Sequence, residues 1–166
     1  MDSGIAPIGE LWFSEFVKHL SEKPRIDVVC ALIREPAQSG RVLVARRLLS
    51  DPHLPGMWEF PGGKIEEGET PSEAVVREIE EEFGVRVGVL GPFGVFEHEY
   101  PAVLITLYAL VCEVSPDASF VPVDHEEWHW MHPCDMHSLD WAAADLPIVN
   151  ALLRDQSRSV EVPLAS

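Results

Sequence analysis

Three glutamates, Glu78, Glu81 and Glu82, have the residue type and the spacing to bind a metal ion. Residues three and four apart share one face of an α-helix, where like charges repel by roughly 0.2–0.5 kcal/mol per pair. No lysine lies on that face of the predicted helix to offset the repulsion. Clustered carboxylate oxygens suit Mg²⁺ first and Mn²⁺ second. The pattern therefore indicates a divalent cation, and its alternative is a solvated acidic face.

The helix that carries these acids has clear start and stop signals. Thr70 is a good N-cap, Pro71 suits the first helical turn, and Glu73 completes a capping box. Gly84 fits the C-terminal stop. We predict a helix from about Pro71 to Phe83.

The glycine-rich loop before this helix completes a longer motif. Gly62 and Gly63 let the backbone turn tightly and approach a ligand closely. The nine fixed positions of the Nudix box are all matched: Gly63, Glu69, Arg77, Glu78, Ile79, Glu81, Glu82, Gly84 and Val85. The wider string WEFPGGKIEEGETPSEAVVREIEEEFGV resembles the MutT branch of the Nudix hydrolases. A weaker resemblance extends from about residue 26 to residue 153.

This resemblance implies a fold of the α+β or α/β class, the Nudix fold, in which a mixed β-sheet is sandwiched between helices. It also implies hydrolysis of a nucleoside diphosphate linked to another group. In the MutT branch, a nucleoside triphosphate yields a monophosphate and pyrophosphate. Mg²⁺, or Mn²⁺ in its place, is then held by Glu78, Glu81, Glu82 and the Gly62 carbonyl.

The same resemblance suggests how the remaining box residues act. We expect Glu78 to take the proton from the attacking water, as general base. Arg77 orients the box acids through a salt bridge, with Glu69 as its candidate partner, and the alternative is a plain helix ion pair. Gly63 and Lys64 are expected to bind substrate.

Other candidate substrate-binding residues lie in the strands and loops around the box. Arg46 and Arg47 follow a predicted strand, and a basic residue here touches the substrate in MutT-like proteins. Arg47 is at the better-matching position, with a surface salt bridge as the alternative. Phe60 walls a base pocket or belongs to the core.

Two aspartates mark departures from the MutT pattern. Asp124 precedes a tryptophan-containing strand, where several Nudix enzymes add a metal-binding acid that is often glutamate. Its neighbours Glu126 and Glu127 compete for the role, and a surface acid loop is the alternative. Asp145 aligns with a base-reading position that is often asparagine, and it is also a good N-cap. An ionised aspartate only accepts hydrogen bonds, whereas a protonated one also donates.

These departures leave the substrate open between two nucleotides. The MutT-like box favours 8-oxo-dGTP, whose keto edge needs a donor. An ionised Asp145 favours CTP or dCTP, whose exocyclic amine needs an acceptor. A third alternative is a catalytically weak module that binds nucleotide as a sensor, against which the complete acid set argues.

Composition bounds the partners and the cellular setting. The 166 residues carry a net charge of −16, from 28 acidic and 12 basic residues, which disfavours nucleic acid as a partner. An anionic substrate therefore needs metal neutralisation. Three cysteines in no zinc or redox pattern favour a reducing cytoplasm. No apolar run is long enough to span a membrane. We expect a monomer or homodimer that binds a small nucleotide.

The remaining pattern divides the chain into three parts. Residues 1–24 form an extension with an amphipathic helix from about Gly9 to Ser21, residues 25–156 form the catalytic domain, and residues 157–166 form a loose tail. Within the domain, apolar runs predict strands over 26–33, 42–45, 85–90, 93–100 and 103–114. A turn of helix at 133–137 and a final helix over about 145–155 follow.

Overall fold

The structure, a computed structural model, describes residues 23–37 and 39–160, without the side chains of 156–160. The elements follow in the order β1 (Arg25–Ile33), β2 (Val42–Arg47), β3 (Trp58–Glu59), β4 (Gly62–Lys64), α1 (Pro71–Phe83), β5 (Gly88–Glu99), β6 (Leu104–Glu113), β7 (His125–Met131), a 3₁₀ helix (Pro133–Ser138) and α2 (Leu146–Val160). The predicted N-terminal helix lies outside the described residues. None of the described helices is long and apolar enough to cross a membrane.

The strands form two sheets. The larger has the order β4–β1–β6–β5, in which β1 and β6 are parallel and the other pairs are antiparallel. The smaller, β3–β2–β7, is antiparallel throughout. A bridge between Arg34 and Val42 joins the end of β1 to the start of β2, so the two sheets adjoin.

Two apolar layers cover the opposite faces of these sheets. Because successive strand residues point to opposite faces, Val29 and Ile33 of β1 pack in the layer with α1. Cys30 and Leu32 pack in the other layer, with α2 and the 3₁₀ helix. This arrangement confirms the predicted mixed sheet between helices, divided here into two sheets. Cys30 and Cys112 are buried free thiols.

Helix α1 begins and ends at the predicted residues. The Thr70 hydroxyl accepts from the Glu73 N–H at 3.3 Å, and the Glu73 carboxylate accepts from the Thr70 N–H at 2.9 Å, which forms the capping box. Gly84 ends the helix with a φ of 67°, a left-handed conformation that glycine adopts without strain. Val75, Ile79 and Phe83 are buried, so α1 is fixed on the sheet.

Three boundaries differ from the sequence prediction. In place of two strands at 85–90 and 93–100, the structure has one long strand, β5 (Gly88–Glu99), whose register shifts twice, between Val89 and Gly91 and between Pro92 and Gly94. Edge strands tolerate such bulges and prolines. Strand β2 extends to Arg47, past its predicted end at residue 45. Helix α2 continues to residue 160, four residues into the predicted loose tail.

Candidate active site

The backbone of Gly62 and Gly63 forms the floor of the candidate site. β4 pairs with β1 so closely that a Cβ atom on Gly62 would lie 2.1 Å from the Val29 carbonyl oxygen, and its φ is 151°. A Cβ atom on Gly63 would lie 2.4 Å from the Glu78 carboxyl carbon. Only glycine at both positions lets the sheet and the Glu78 carboxylate approach this far.

The three box glutamates differ in their exposure. Glu78 has a side chain 15% exposed, whereas that of Glu81 is 62% exposed. Glu82 is enclosed: burial and the charges of Glu59 and Glu78 raise its pKa well above the usual range, and a hydrogen bond from the Gly62 N–H opposes this shift. Its Oε2 atom has no hydrogen-bond partner among the described residues. The helix therefore aims an unsatisfied carboxylate oxygen into the site.

Arg77 holds the acids and the loop together. Its Nε and Nη2 atoms donate to the two oxygens of Glu69, at 2.8 and 2.9 Å. Nη2 also donates to the Lys64 carbonyl at 3.0 Å. Nη1 donates to Glu78 at 2.9 Å and to Glu81 at 3.3 Å. The contact with Glu69 that the sequence suggested is present, and it ties the loop to the helix. The Lys64 side chain itself is exposed.

A buried polar cluster lies beside Glu82, and two of its members, Glu59 and His125, escaped the sequence analysis. Glu59 Oε1 lies 2.9 Å from His125 Nε2, and Glu59 Oε2 accepts from Arg47 Nη1 at 2.7 Å. Arg47 Nη2 donates to Asp51 at 2.6 Å. His125 is buried. Alternation in β3 was the available signal, because Glu59 must face away from Trp58.

Asp124 lies in a segment that is tied to the site on both sides. The Val123 N–H donates to the Glu82 carbonyl at 2.9 Å. The next residue, His125, contacts Glu59, and its ring stacks on Phe83 with centroids 5.1 Å apart. Asp124 itself is exposed. Of its competitors, Glu127 forms a salt bridge with Arg46 at 3.1 Å, and the Glu126 carboxylate accepts from the Leu49 N–H at 3.3 Å.

Asp145 is buried between the loop after β3 and the start of α2. Its Oδ1 atom accepts from the Phe60 N–H at 3.0 Å, and its backbone carbonyl accepts from the first amides of α2. The side chain thus bonds the loop after β3 instead of capping its own helix. Burial raises the pKa of Asp145 to about 8, although the Phe60 N–H opposes the shift. The carboxyl is therefore mostly protonated at neutral pH.

Phe60 belongs to the apolar layer beneath this contact. Its ring lies 4.9 Å from that of Trp141, and the residue is 3% exposed. Trp58 packs in the same layer. The structure thus supports the core interpretation of Phe60.

The donor chemistry of the site fits a hard divalent cation. The glutamates and the Gly62 backbone offer only oxygen, which Mg²⁺ prefers. Glu82 supplies a buried oxygen with no protein donor. Within the described ranges, no three His, Cys, Asp or Glu side chains are already arranged around a single metal position. Arg77 instead pairs with Glu78 and Glu81, so a bound cation must compete with this guanidinium.

Comparisons with known proteins agree with this geometry. A model of the NUDIX domain matches residues 23–152. The chain is 32% identical over 130 residues to an 8-oxo-dGTP diphosphatase of Escherichia coli K12, covering 78% of this chain and 98% of the relative. It is 31% identical over 130 residues to a CTP pyrophosphohydrolase of the same organism, covering 77% and 91%. The crystal structure of a MutT protein from Methanosarcina mazei Go1 superposes with a TM-score of 0.68 at 27% identity, covering 81% and 97%.

Proposed function

The chain belongs to the NUDIX family of hydrolases, and we propose that it is a Mg²⁺-dependent nucleoside triphosphate pyrophosphohydrolase with 8-oxo-dGTP as its favoured substrate. One observation carries the reaction: the Glu78 carboxylate and the buried, unsatisfied Glu82 carboxylate lie against the Gly62–Gly63 backbone. Carboxylates so placed repel each other and the phosphates unless a cation joins them.

The residues of the site have different roles in this reaction. Glu78, Glu81, Glu82 and the Gly62 carbonyl are the candidate ligands, with Asp124 as an additional one. Bound Mg²⁺ supplies charge neutralisation of the phosphates and makes hydroxide available near neutral pH.

Glu78 is the candidate general base, since its side chain is partly exposed whereas Glu82 is enclosed. Water adds to a phosphorus atom, its proton passes to the Glu78 carboxylate, and the bond to the pyrophosphate oxygen breaks. Arg77 keeps Glu78 in place, and Arg47, Gly63 and Lys64 face the phosphates.

The protonation state of Asp145 supports 8-oxoguanine as the nucleobase that the site binds. A carboxyl with a pKa of about 8 donates a hydrogen bond at neutral pH, as the keto edge of 8-oxoguanine requires. The relative named 8-oxo-dGTP diphosphatase is consistent with this choice. The second candidate is CTP or dCTP, favoured by the equally similar CTP pyrophosphohydrolase. A cytidine nucleotide is favoured if Asp145 is ionised when the nucleobase is bound.

An assay with a panel of nucleotides tests both the proposed reaction and the proposed nucleobase. Pyrophosphate release is measured with Mg²⁺ on 8-oxo-dGTP, dGTP, CTP, dCTP and ADP-ribose, and again with excess EDTA. We expect release from triphosphates that EDTA abolishes, with the highest kcat/KM for 8-oxo-dGTP. Higher kcat/KM for cytidine nucleotides contradicts 8-oxoguanine as the preferred nucleobase. Tight nucleotide binding without turnover contradicts the reaction and favours a binding module.

A further inference from the structure

Glu59 is a buried carboxylate with both oxygens engaged, outside the box that the family motif defines. The residue is 8% exposed, and it lies on β3 beside the last residues of β2. One oxygen bonds Arg47 at 2.7 Å and the other lies 2.9 Å from His125. Burying a charge destabilises the folded state unless partners compensate it. A buried ion pair of this kind is weak evidence for a gain in stability. The contact is better explained by its effect on Arg47.

The Arg47 guanidinium is clamped between two elements. Glu59, on the strand, fixes Nη1, and Asp51, in the loop that follows β2, fixes Nη2 at 2.6 Å. Asp51 in turn accepts from the N–H groups of His53 and Leu54, at 2.8 and 2.7 Å, so the loop is fixed as well. Each terminal nitrogen carries a second N–H, and the Arg47 side chain is 28% exposed. A pre-oriented guanidinium with spare donors loses less freedom when it binds an anion.

We propose that Glu59 is a positioning residue that orients the Arg47 guanidinium for the substrate's phosphates. Glu59 holds Nη1 from a strand, and Asp51 holds Nη2 from the loop after β2. Glu59 also lies beside Glu82, whose pKa it raises, so the clamp places Arg47 close to the acids. The inference rests on the proposed function only where it assigns the bound anion to a nucleoside triphosphate.

A double-mutant cycle distinguishes an effect of Glu59 that acts through Arg47 from a general structural effect. Glu59→Gln keeps the size and one acceptor for Arg47 but removes the charge. With the wild-type Arg47, KM for the triphosphate should rise about tenfold with kcat changed less than twofold, the size expected when one charge-assisted hydrogen bond is lost. In an Arg47→Ala background, Glu59→Gln should change KM by less than twofold. An equal rise in both backgrounds, or a fall in kcat alone, overturns the proposal.

A matched control tests whether a Glu→Gln change at another arginine-bound carboxylate alters the kinetics. Glu35 bonds Arg41 at 2.9 Å in the hairpin between β1 and β2, away from the box. Glu35→Gln should leave kcat and KM unchanged. If Glu59→Gln does not fold, Glu59→Asp replaces it in the same cycle, since the shorter side chain withdraws from Arg47 while the charge remains.

A substrate-free measurement keeps the inference independent of the proposed function. In ¹⁵N spectra of the arginine side chains, the Arg47 guanidinium should show hindered rotation in the wild type and lose it in Glu59→Gln. Arg77, which Glu69 and Glu78 hold, should stay hindered in both and serves as the internal reference. Unchanged rotation of Arg47 overturns the proposal. Absence of triphosphate turnover in the wild type refutes the proposed function instead, and the spectra still decide the role of Glu59.

Discussion

Replacing Asp145 with asparagine separates the two candidate substrates. Burial raises the pKa of Asp145 to about 8, so about nine in ten copies carry the proton at pH 7 and about one in ten at pH 9. Asparagine keeps an oxygen for the Phe60 N–H and presents an N–H donor at every pH. The variant therefore imitates the protonated aspartate and removes its titration.

The expected change in kcat/KM follows from the titration of Asp145. If the protonated carboxyl donates to 8-oxoguanine, wild-type kcat/KM for 8-oxo-dGTP falls about tenfold from pH 7 to pH 9 relative to Asp145→Asn. Dividing the wild-type value by the variant value removes the pH dependence of the catalytic water and the phosphates, which both proteins share. For CTP, the corresponding wild-type to variant ratio should rise over the same interval, because the Oδ2 atom that the Phe60 N–H leaves free accepts from the amine best when it is ionised.

The assay is steady-state pyrophosphate release at saturating Mg²⁺, at half-unit steps from pH 6 to pH 9.5. A ratio that is flat for both nucleotides refutes the reasoning, because Asp145 then does not titrate in contact with the base. A rise for CTP without a fall for 8-oxo-dGTP transfers the preferred function to the cytidine nucleotide.

The same substitution makes stability a second readout. The pKa of Asp145 is raised from 3.8 to about 8 in the folded chain, so its protonated form stabilises the fold fully below pH 4 and this contribution is lost as pH rises to 8. Each pKa unit corresponds to about 1.4 kcal/mol. Between pH 5 and pH 8, the free energy of unfolding of the wild type, measured against Asp145→Asn in urea, should fall by at most about 4 kcal/mol. A constant difference shows that the carboxyl is not buried as described.

Three further substitutions test the site and its support. In Gly63→Ala, the new Cβ would lie 2.4 Å from the Glu78 carboxyl carbon and displace this carboxylate, so kcat should fall at least about tenfold. Gly88→Ala is the control and should keep kcat, because its Cβ would lie 3.3 Å from the side chain of Glu113, which is not a site residue. Phe60→Ala should lower the free energy of unfolding by about 3–5 kcal/mol in a denaturant melt; a normal melt with a raised KM would place Phe60 in the base pocket. Glu82→Gln should melt in EDTA at about the wild-type temperature, since burial already disfavours the charged form of Glu82 and the amide keeps its size, yet lose turnover by about two orders of magnitude or more. Near-normal turnover at saturating Mg²⁺ would contradict its assignment as a ligand.

The parts of the site that depend on local spacing were predictable. Capping by Thr70 and the stop at Gly84 act within one helix, so the bounds of α1 follow from neighbouring residues. The contact of Arg77 with Glu69 spans eight residues across one loop, and the box spacing suggested it. Short-range chemistry is visible in one sequence because its partners are fixed by the element they share.

Contacts across the fold were not predictable in this way. Glu59 and His125 are 66 positions apart, and Asp145 reaches Phe60 across 85. Their meeting depends on how β3, β7 and the start of α2 pack, which periodicity does not encode. The N-cap interpretation of Asp145 was plausible locally, but the tertiary contact with Phe60 prevailed. Similarly, the sequence offered a phosphate contact or a surface salt bridge for Arg47, and it could not indicate that the buried Glu59 binds this side chain.

The charges around Glu82 connect the fold to the reaction. Glu59 and Glu78 raise its pKa, and Arg47 is the cation that opposes them. The neighbouring Arg77 is already shared among three acids, so these two guanidinium groups cannot balance the cluster. A triphosphate would add several more negative charges to a chain whose net charge is already −16. Phosphates and carboxylates therefore need the same cations, and productive binding must bring metal and nucleotide together.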